Sequence, residues 1–188
     1  MQVILIRHGK TKANEERRYV GKTDLPLSPL GIAEIKENTY PPAQMVFASP
    51  RLRCQETARL IYPGQKIITV EGLREMNFGD FENKNHEELK NDPEYRRWLE
   101  SNGALPCPNG DSREAFAERC VNAFRQLIQT VDPETIQTIA LVVHGGTIMA
   151  LMDQLTVHNG QYYDFMVDNG KGYLCQFDGE HLIPRQTL

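Results

Sequence analysis

The sequence predicts an α/β fold with a mostly parallel central sheet. Short apolar segments rich in β-branched residues alternate with amphipathic segments, the order expected of strands and helices in such a sheet. The apolar segments lack the polar alternation of a half-exposed strand, so we expect them to be buried on both faces. The 188 residues contain no internal repeat and no low-complexity linker, so we expect residues 1–188 to form a single domain.

The N-terminal part of the chain contains three predicted strands and two predicted helices. The strands are Val3–Ile6, Met45–Ala48 and Lys66–Val70. Ser28-Pro29 opens the first helix, because serine is a favoured N-cap and proline fits the first helical position. The second helix covers Arg51–Ile61 and ends before Pro63-Gly64.

Further elements follow two predicted loops. Residues 76–85 lack periodicity, and Ser101–Ser112 holds two Gly, two Pro and two Asn, which is typical of loops. Short helices are predicted around His86–Lys90 and Pro93–Glu100. The most strongly periodic helix begins at Ser112, with an apolar stripe at Phe116, Cys120, Phe124, Leu127 and Val131. The remaining predicted elements are a strand at Thr138–Val143, a helix from about Gly146 to Leu155, and a strand at Gly172–Phe177.

Composition excludes several classes of protein. The formal net charge is −4, with 21 Lys and Arg against 25 Asp and Glu, which argues against nucleic acid or an anionic membrane as the main partner. No apolar run approaches the ~20 residues of a membrane span, and the four apolar residues after Gln2 are too few for a signal peptide. We expect a soluble, cytoplasmic protein. The cysteines form no C-x-x-C pair, which favours reduced thiols over a zinc or disulfide framework.

Two predicted strands end in the same dipeptide. Arg7-His8-Gly9 follows the first strand and His144-Gly145-Gly146 follows Thr138–Val143, whereas five His and 14 Gly in 188 residues predict fewer than one His-Gly pair by chance. Ligands of open α/β sheets bind outside the carboxyl ends of strands, and glycine allows the backbone to approach a ligand closely. We expect the two imidazoles to face one another. The alternative, that each histidine only packs a strand end, is less favoured because Arg7 adjoins His8.

Arginine beside histidine at a strand end favours a phosphoryl ligand. The guanidinium fork matches phosphate oxygens, and a neutral imidazole can attack phosphorus to form a phosphohistidine. Such a nucleophile requires its other ring nitrogen to donate to a fixed acceptor, for example a backbone carbonyl. A metal site has less support, since the sequence has no H-x-H, no H-E-x-x-H and no Asp cluster at ligand spacing.

Five motifs carry a resemblance to a known family. Arg7-His8-Gly9-Lys10-Thr11 with Asn14 resembles R-H-G-E-[ST] with a later Asn, the signature of the histidine phosphatase superfamily, also called phosphoglycerate mutase-like; Lys10 replaces the common Glu. Four further matches follow in family order and extend the resemblance over essentially the whole chain. They are the stretch from Gly21 through Asp24 and Pro26-Leu27-Ser28 to Gly31, the segment Ser49–Ala58, the segment Leu73–Glu82, and Val142–Gly146.

The resemblance implies a three-layer α/β/α sandwich and a role for each matched residue. His8 would be the nucleophile, and Glu75 the general acid and then the base, which requires a raised pKa. Arg7, Arg53 and His144 would hold the phosphoryl oxygens; Arg51 lies in the same motif as Arg53, but the register selects Arg53. The substrate, a small phosphomonoester, would be bordered by Asn14, Gly21, Lys22, Thr23 and Gly145. The resemblance implies no metal and no cofactor, and the oligomeric state stays open.

The same motifs favour a phosphatase over a mutase. Mutases of the family carry Arg directly after the acidic Glu, where this chain has Met76, and Arg96-Arg97 is predicted to be a solvated helix face. Pro108–Ser112 with Phe116 and Arg119 resembles one phosphatase subgroup, although Asp111 and Phe81 stand where Glu and Trp are usual. A broad-specificity sugar phosphatase, a mutase-like enzyme and an inactive phospho-ligand binding module are the alternatives. The role of residues 101–112 in specificity stays open.

Overall fold

A six-stranded sheet forms the centre of the computed structural model, which describes all residues, 1–188. The strands are β1 (Gln2–Arg7), β2 (Met45–Ala48), β3 (Ile67–Thr69), β4 (Thr138–Val143), β5 (Gly172–Phe177) and β6 (Leu182–Thr187). Their order across the sheet is β3-β2-β4-β1-β5-β6. The first four are parallel, whereas β5 runs antiparallel to both β1 and β6. The predicted mostly parallel sheet is confirmed.

Seven helices connect these strands. They are α1 (Lys12–Glu15), α2 (Pro29–Glu37), α3 (Leu52–Ile61), α4 (His86–Leu89), α5 (Pro93–Glu100), α6 (Arg113–Gln129) and α7 (Gly145–Leu155). The predicted N-caps function as such: Ser28 Oγ accepts from the Gly31 N–H, and Ser112 Oγ accepts from the Ala115 N–H. Because α6 ends at Gln129, Val131 lies beyond the helix, although its side chain is buried as the stripe predicted.

Helices cover both faces of the sheet. Along β1, Ile4 and Ile6 belong to a cluster of 10 buried residues that includes Cys54 and Ala58 of α3. Val3 and Leu5 point the other way, into a cluster of 30 buried residues formed with α6 and α7. Every residue of Val3–Ile6 is fully buried, as a strand between two helical layers requires. The three-layer α/β/α sandwich is therefore confirmed.

Several short elements differ from the sequence-based expectation. Strand β6 was not predicted because Pro184 interrupts its apolar pattern, and only Leu182 is buried among its residues; proline is tolerated because this is an edge strand. Helix α1 has four residues, too few to show periodicity, and is fixed by a capping box between Thr11 and Asn14. Short 3-10 turns at Glu71–Leu73, Gly79–Phe81 and Tyr162–Phe165 occupy regions without a predicted element.

Two further observations concern the whole chain. All four cysteines are buried and free, which agrees with the expected absence of a disulfide framework. None of the helices combines the length and the apolar character needed to cross a membrane.

Candidate active site

The register between β1 and β4 brings the two His-Gly pairs together. Arg7 pairs with Val143, so His8 and His144 leave neighbouring strands at the same edge of the sheet. The His8 N–H donates to the Val143 carbonyl over 2.9 Å. The two imidazole rings lie 5.2 Å apart, centroid to centroid, at an angle of 71°. The predicted meeting of the histidines is therefore present, and both side chains are buried.

His8 is held as a neutral imidazole with a free lone pair. Its Nδ1 lies 2.7 Å from the Gly9 carbonyl oxygen, to which it can only donate, and its Nε2 accepts from Nε of Arg53 over 3.2 Å. Burial lowers the pKa of His8 well below its usual value, and the charges of Arg53 and Arg7 lower that pKa further. This is the tautomer that a nucleophilic Nε2 needs.

Arg53, on α3, is a fully buried cation without a carboxylate partner at hydrogen-bond distance. Its guanidinium donates to the backbone carbonyls of Thr23 (2.8 Å), Gly21 (3.1 Å) and Val20 (3.3 Å). Burial lowers its pKa from the usual arginine value, yet arginine stays protonated in proteins. The site therefore keeps one positive charge beside Nε2 that no acidic side chain neutralises.

The segment that holds Arg53 is fixed in turn by Glu82. Its carboxylate accepts from the backbone N–H groups of Gly21 (2.9 Å) and Lys22 (2.8 Å) and from the hydroxyl of Thr23 (2.8 Å). Gly21, Lys22 and Thr23 do not line the cavity that contains His8. In this structure the three residues position Arg53, and their predicted contact with substrate stays a prediction.

Arg7 presents a second guanidinium to the same site. Its Nη1 donates to the Val167 carbonyl over 2.7 Å, whereas its buried Nε has no partner. Gly145 packs directly against it, since a Cβ at Gly145 would lie 3.3 Å from Nε. A buried donor without an acceptor is costly, and an anion bound beside His8 would supply the acceptor.

Glu75 is a nearly buried carboxylate at the N-terminus of α7. Oε1 accepts from the Met76 N–H over 2.9 Å, and Oε2 accepts from the Gly146 N–H over 3.1 Å. Burial raises its pKa, while the two N–H groups and the arginines act in the opposite direction. The raised pKa is the property expected of a general acid. Gly146 has no Cβ to obstruct the carboxylate, so glycine is needed at this position.

His144 is the N-cap residue of α7 and is completely buried. Its Nε2 lies 2.7 Å from Oγ of Ser49, and Sγ of Cys54 lies within 3.7 Å of both ring nitrogens. Burial and the charge of Arg53 lower its pKa well below the usual value, so the ring is neutral. Sequence analysis placed Ser49 and Cys54 in a motif but gave them no role; only the structure identifies them as neighbours of His144.

Three of the five predicted catalytic residues line a cavity of about 250 Å³, whereas Arg53 and His144 lie behind its wall. Arg7, His8, Glu75 and the predicted Asn14 and Gly145 contribute to its wall. The rest of the lining, called here the aromatic end, was not predicted, because its residues come from separate segments of the chain. Its aromatic side chains are Tyr19, Phe78, Trp98, Tyr162 and Tyr163. Met149 and Met166 add apolar surface, and Arg18 and Arg113 add charge.

Two other features bear on where chemistry occurs. A larger open groove of about 1050 Å³ lies along α6, but it contains none of the five predicted catalytic residues.

Arg51 is the N-cap residue of α3 and does not contact His8, in agreement with the choice of Arg53. The structure contains no cluster of three or more His, Cys, Asp or Glu side chains suited to a metal ion.

Comparison with known proteins identifies the family. The model of the histidine phosphatase superfamily (branch 1) matches residues 3–185. The adenosylcobalamin/alpha-ribazole phosphatase of Escherichia coli (strain K12) is 32% identical over 181 residues, which cover 90% of this chain and 87% of that protein. The 2,3-bisphosphoglycerate-dependent phosphoglycerate mutase 2 of Gloeobacter violaceus is 30% identical over 165 residues, with 81% and 74% covered.

A solved structure agrees with these relatives. Phosphoserine phosphatase of Entamoeba histolytica, in complex with 3-phosphoglyceric acid, superposes with a TM-score of 0.79 at 26% identity and covers 99% of this chain and 95% of that one. The relatives share a family and differ in substrate. The chain is therefore an enzyme of the histidine phosphatase superfamily.

Proposed function

We propose that the protein hydrolyses phosphomonoesters through a phosphohistidine formed at Nε2 of His8, and that alpha-ribazole 5′-phosphate is its substrate. The observation that carries the chemistry is the state of His8: a neutral ring whose Nδ1 is committed to the Gly9 carbonyl and whose Nε2 faces the Arg53 guanidinium. The proposal treats residues 1–188 as one domain and requires no cofactor, nucleic acid or membrane.

In the first step, the Nε2 lone pair of His8 attacks phosphorus and the bond from phosphorus to the leaving oxygen breaks. Arg53 exchanges its bond to Nε2 for a bond to a phosphoryl oxygen, and Nε of Arg7 gains the acceptor it lacks. His144 borders the phosphoryl group on the other side. Protonated Glu75 transfers its proton to the leaving oxygen. Most of the rate enhancement comes from charge placed where the transition state needs it.

In the second step, water attacks the phosphohistidine. The Glu75 carboxylate takes a proton from the water, the new P–O bond forms, and the P–N bond breaks to regenerate neutral His8 and release inorganic phosphate. One carboxyl group thus acts as acid and then as base. Its anchorage by the Met76 and Gly146 N–H groups keeps it in place through both steps.

The aromatic side chains of the cavity suit a leaving group with a flat ring, against which they can pack. The base of alpha-ribazole is such a ring. The position after Glu75 is Met76, which is buried, and Arg96 and Arg97 are exposed on α5, where Arg97 pairs with Glu94 over 2.6 Å. The position directly after Glu75, which carries arginine in the mutases of the family, therefore holds no arginine here. These observations favour a phosphatase over a mutase-like enzyme.

The segment that resembles one phosphatase subgroup supports alpha-ribazole phosphatase, and its role is partly positional. Arg119 donates to the carbonyls of Gly72 (2.9 Å) and Arg74 (2.8 Å), and Asp111 accepts from the Asn77 N–H over 3.0 Å. Both brace the irregular segment that carries Glu75. The relatives named for alpha-ribazole add support for this substrate; a broad-specificity sugar phosphatase is the second candidate.

A panel of phosphomonoesters ranked by kcat/KM tests the proposal. We expect alpha-ribazole 5′-phosphate to rank above sugar phosphates, phosphoserine and phosphoglycerates. A flat ranking would favour a broad-specificity phosphatase, interconversion of phosphoglycerates would favour a mutase, and no turnover of any ester would favour a binding module.

The phosphohistidine is tested by acid or alkaline quench with labelled substrate. We expect label on His8, and no turnover in His8→Ala, because the remaining groups cannot replace a nucleophile. The exposed His181, which caps no helix and lies outside the cavity, provides the control His181→Ala, whose labelling should match that of the parent. Label on a serine or cysteine would refute the mechanism.

A further inference from the structure

Trp98 is a group in the cavity whose state the reaction does not explain. Its ring is 8% exposed, and its Nε1–H is closed from solvent without any hydrogen-bond partner. Buried indole N–H groups normally have partners, because an unsatisfied donor loses its bonds to water and gains nothing. A bound phosphoryl group could accept a hydrogen bond from Nε of Arg7. It would not accept one from the indole N–H, because Trp98 belongs to the aromatic end of the cavity.

The aromatic neighbours fix the indole ring but leave its N–H free. Tyr19 meets the ring edge-on at 5.7 Å and 90°, and Tyr95 stacks on it at 6.0 Å and 23°. The hydroxyls of these two tyrosines lie 2.9 Å apart and bond to one another. Phe81 packs against the indole at 5.8 Å and has no polar atom. The orientation of the donor is therefore set, while no neighbour accepts from it.

The indole edge next to Nε1 packs against Gly103, and the Tyr163 hydroxyl packs against Gly103 in turn. These two residues are called the cover below. A Cβ added at Gly103 would lie 3.7 Å from Cε2, the atom bonded to Nε1, and 2.5 Å from the Tyr163 hydroxyl. Gly103 adopts φ +70°, which glycine accommodates best. Both residues line the cavity together with Trp98.

The cavity leaves little room for a nucleoside-sized leaving group while this cover is closed. Its volume of about 250 Å³ is below the ~300 Å³ at which ligand cavities usually begin. Tyr163 belongs to a short 3-10 turn and Gly103 to the 101–112 loop, so either can yield without disturbing the sheet. Displacement of Gly103 together with Tyr163 would enlarge the cavity and uncover the indole edge.

We propose that the Nε1–H of Trp98 donates a hydrogen bond to the leaving group and thereby selects leaving groups that carry an acceptor. Indole is a donor only, so the matching group is a hydroxyl oxygen or a ring nitrogen, as in the sugar or base of a nucleoside-like phosphate. This inference rests on the proposed phosphatase function. It assigns part of the specificity to the aromatic end and gives the 101–112 loop a place at its entrance.

The single tryptophan of the chain permits a direct spectroscopic test. In His8→Ala labelled with ¹⁵N-indole tryptophan, one indole cross-peak should appear in a proton–nitrogen correlation spectrum. Binding of alpha-ribazole 5′-phosphate should move the indole proton downfield, whereas phenyl phosphate, whose leaving group has no further acceptor, should not. Titration calorimetry shows that each ligand is bound. An equal shift with both ligands, or none with a bound acceptor-bearing ligand, would overturn the proposal.

A kinetic test uses replacement of Trp98 by 3-benzothienylalanine, which keeps the ring shape and substitutes sulfur for the N–H. The ratio of kcat/KM for alpha-ribazole 5′-phosphate to that for phenyl phosphate should fall about threefold to tenfold, the range of one neutral hydrogen bond. Trp98→Phe should lower the ratio as well. Phe78→Leu is the matched control, because it alters an aromatic wall without removing a polar atom, and it should leave the indole shift in place.

The outcomes separate this inference from the proposed function. If phenyl phosphate is hydrolysed and alpha-ribazole 5′-phosphate is not, the substrate assignment fails; adenosine 5′-phosphate then replaces it in both tests of Trp98. If no ester is hydrolysed, the phosphatase proposal fails and the spectroscopic test alone decides the binding role. A ratio unchanged by benzothienylalanine would overturn the inference while leaving the phosphatase intact.

Discussion

Substitution of Gly146 by alanine tests whether the position of Glu75 limits catalysis. A Cβ at residue 146 would overlap Oε1 of Glu75 and would approach its Cδ to 3.1 Å and its Oε2 to 3.2 Å. Ordinary contacts are about 3.5–4.0 Å, so the carboxyl group must move by about 1 Å. The same movement weakens the bond from the Gly146 N–H to Oε2, now 3.1 Å.

The expected loss follows from that displacement. A 1 Å misplacement of a reacting group can lower the rate about 10²-fold, which equals about 2.7 kcal/mol in the activation free energy. Alanine in the first turn of α7 should not destabilise that helix, because alanine has the higher helix propensity. A fall in activity with a retained melting temperature would therefore report on the active site and not on unfolding.

Single-turnover kinetics with an alkyl phosphate and with p-nitrophenyl phosphate provide the assay. The defect of Gly146→Ala should be larger for the alkyl ester, whose leaving oxygen needs the proton. Combining it with Glu75→Gln should cost little beyond Glu75→Gln alone, since both remove the same function. Gly145→Ala is the positional control. Its new Cβ would contact Arg7 and not Glu75, so the rates with the two esters should fall by the same factor. Additive losses in the double variant would refute the reasoning.

Three further outcomes follow from the site. In single-turnover measurements, Glu75→Gln should slow phosphorylation of the enzyme by alkyl phosphates about 10²–10⁴-fold. The rate with p-nitrophenyl phosphate should fall less. Equal defects with both esters would move the acid role to another carboxylate such as Asp111. Activity should survive exhaustive EDTA treatment, because arginines supply the charge that a metal supplies elsewhere; loss restored by one metal would contradict this. Because burial holds the pKa of His8 and of His144 well below the value of a free imidazole, the unfolded chain takes up protons first, and folding stability should fall as pH drops through about 6.5. The loss should not exceed about 1.4 kcal/mol per histidine for each pH unit below 6.5. The free energy of unfolding, measured with urea at several pH values, should show this decline. The decline should be about half as large in His8→Gln, which lacks one of the two histidines.

The sequence predicted the parts of this molecule that local patterns determine. Strands buried on both faces have an apolar signature, and β1 and β4 were predicted nearly to their ends, so the meeting of His8 and His144 could be expected. Strand β6 has no such signature, because a single buried residue and a proline at a sheet edge produce no period. The aromatic end of the cavity could not be predicted either, because Tyr19, Trp98 and Tyr163 are far apart in sequence and only tertiary packing joins them.

Roles that depend on backbone partners were also beyond sequence analysis. Motif position selected Gly21, Lys22 and Thr23 as candidate substrate contacts, yet in the structure two of their carbonyls hold Arg53 and their N–H and hydroxyl groups bind Glu82. A motif records that a residue type recurs at a site. It does not distinguish a group that touches the ligand from one that positions another side chain.

In the proposed mechanism, the burial of the site allows one carboxyl group to change from acid to base. Burial raises the pKa of Glu75, whereas Arg53 and Arg7 lower it. A bound phosphoryl group neutralises part of the arginine charge, so the lowering weakens and the protonated acid is favoured when a leaving group awaits its proton. Once that proton has left with the alcohol, Glu75 is a carboxylate beside an attacking water and can accept a proton again. The proposed cycle needs both histidines neutral, because a charge on either would stabilise the carboxylate and a charged His8 could not serve as nucleophile. The fold thus sets the order of proton transfers by keeping positive charge on the arginines alone.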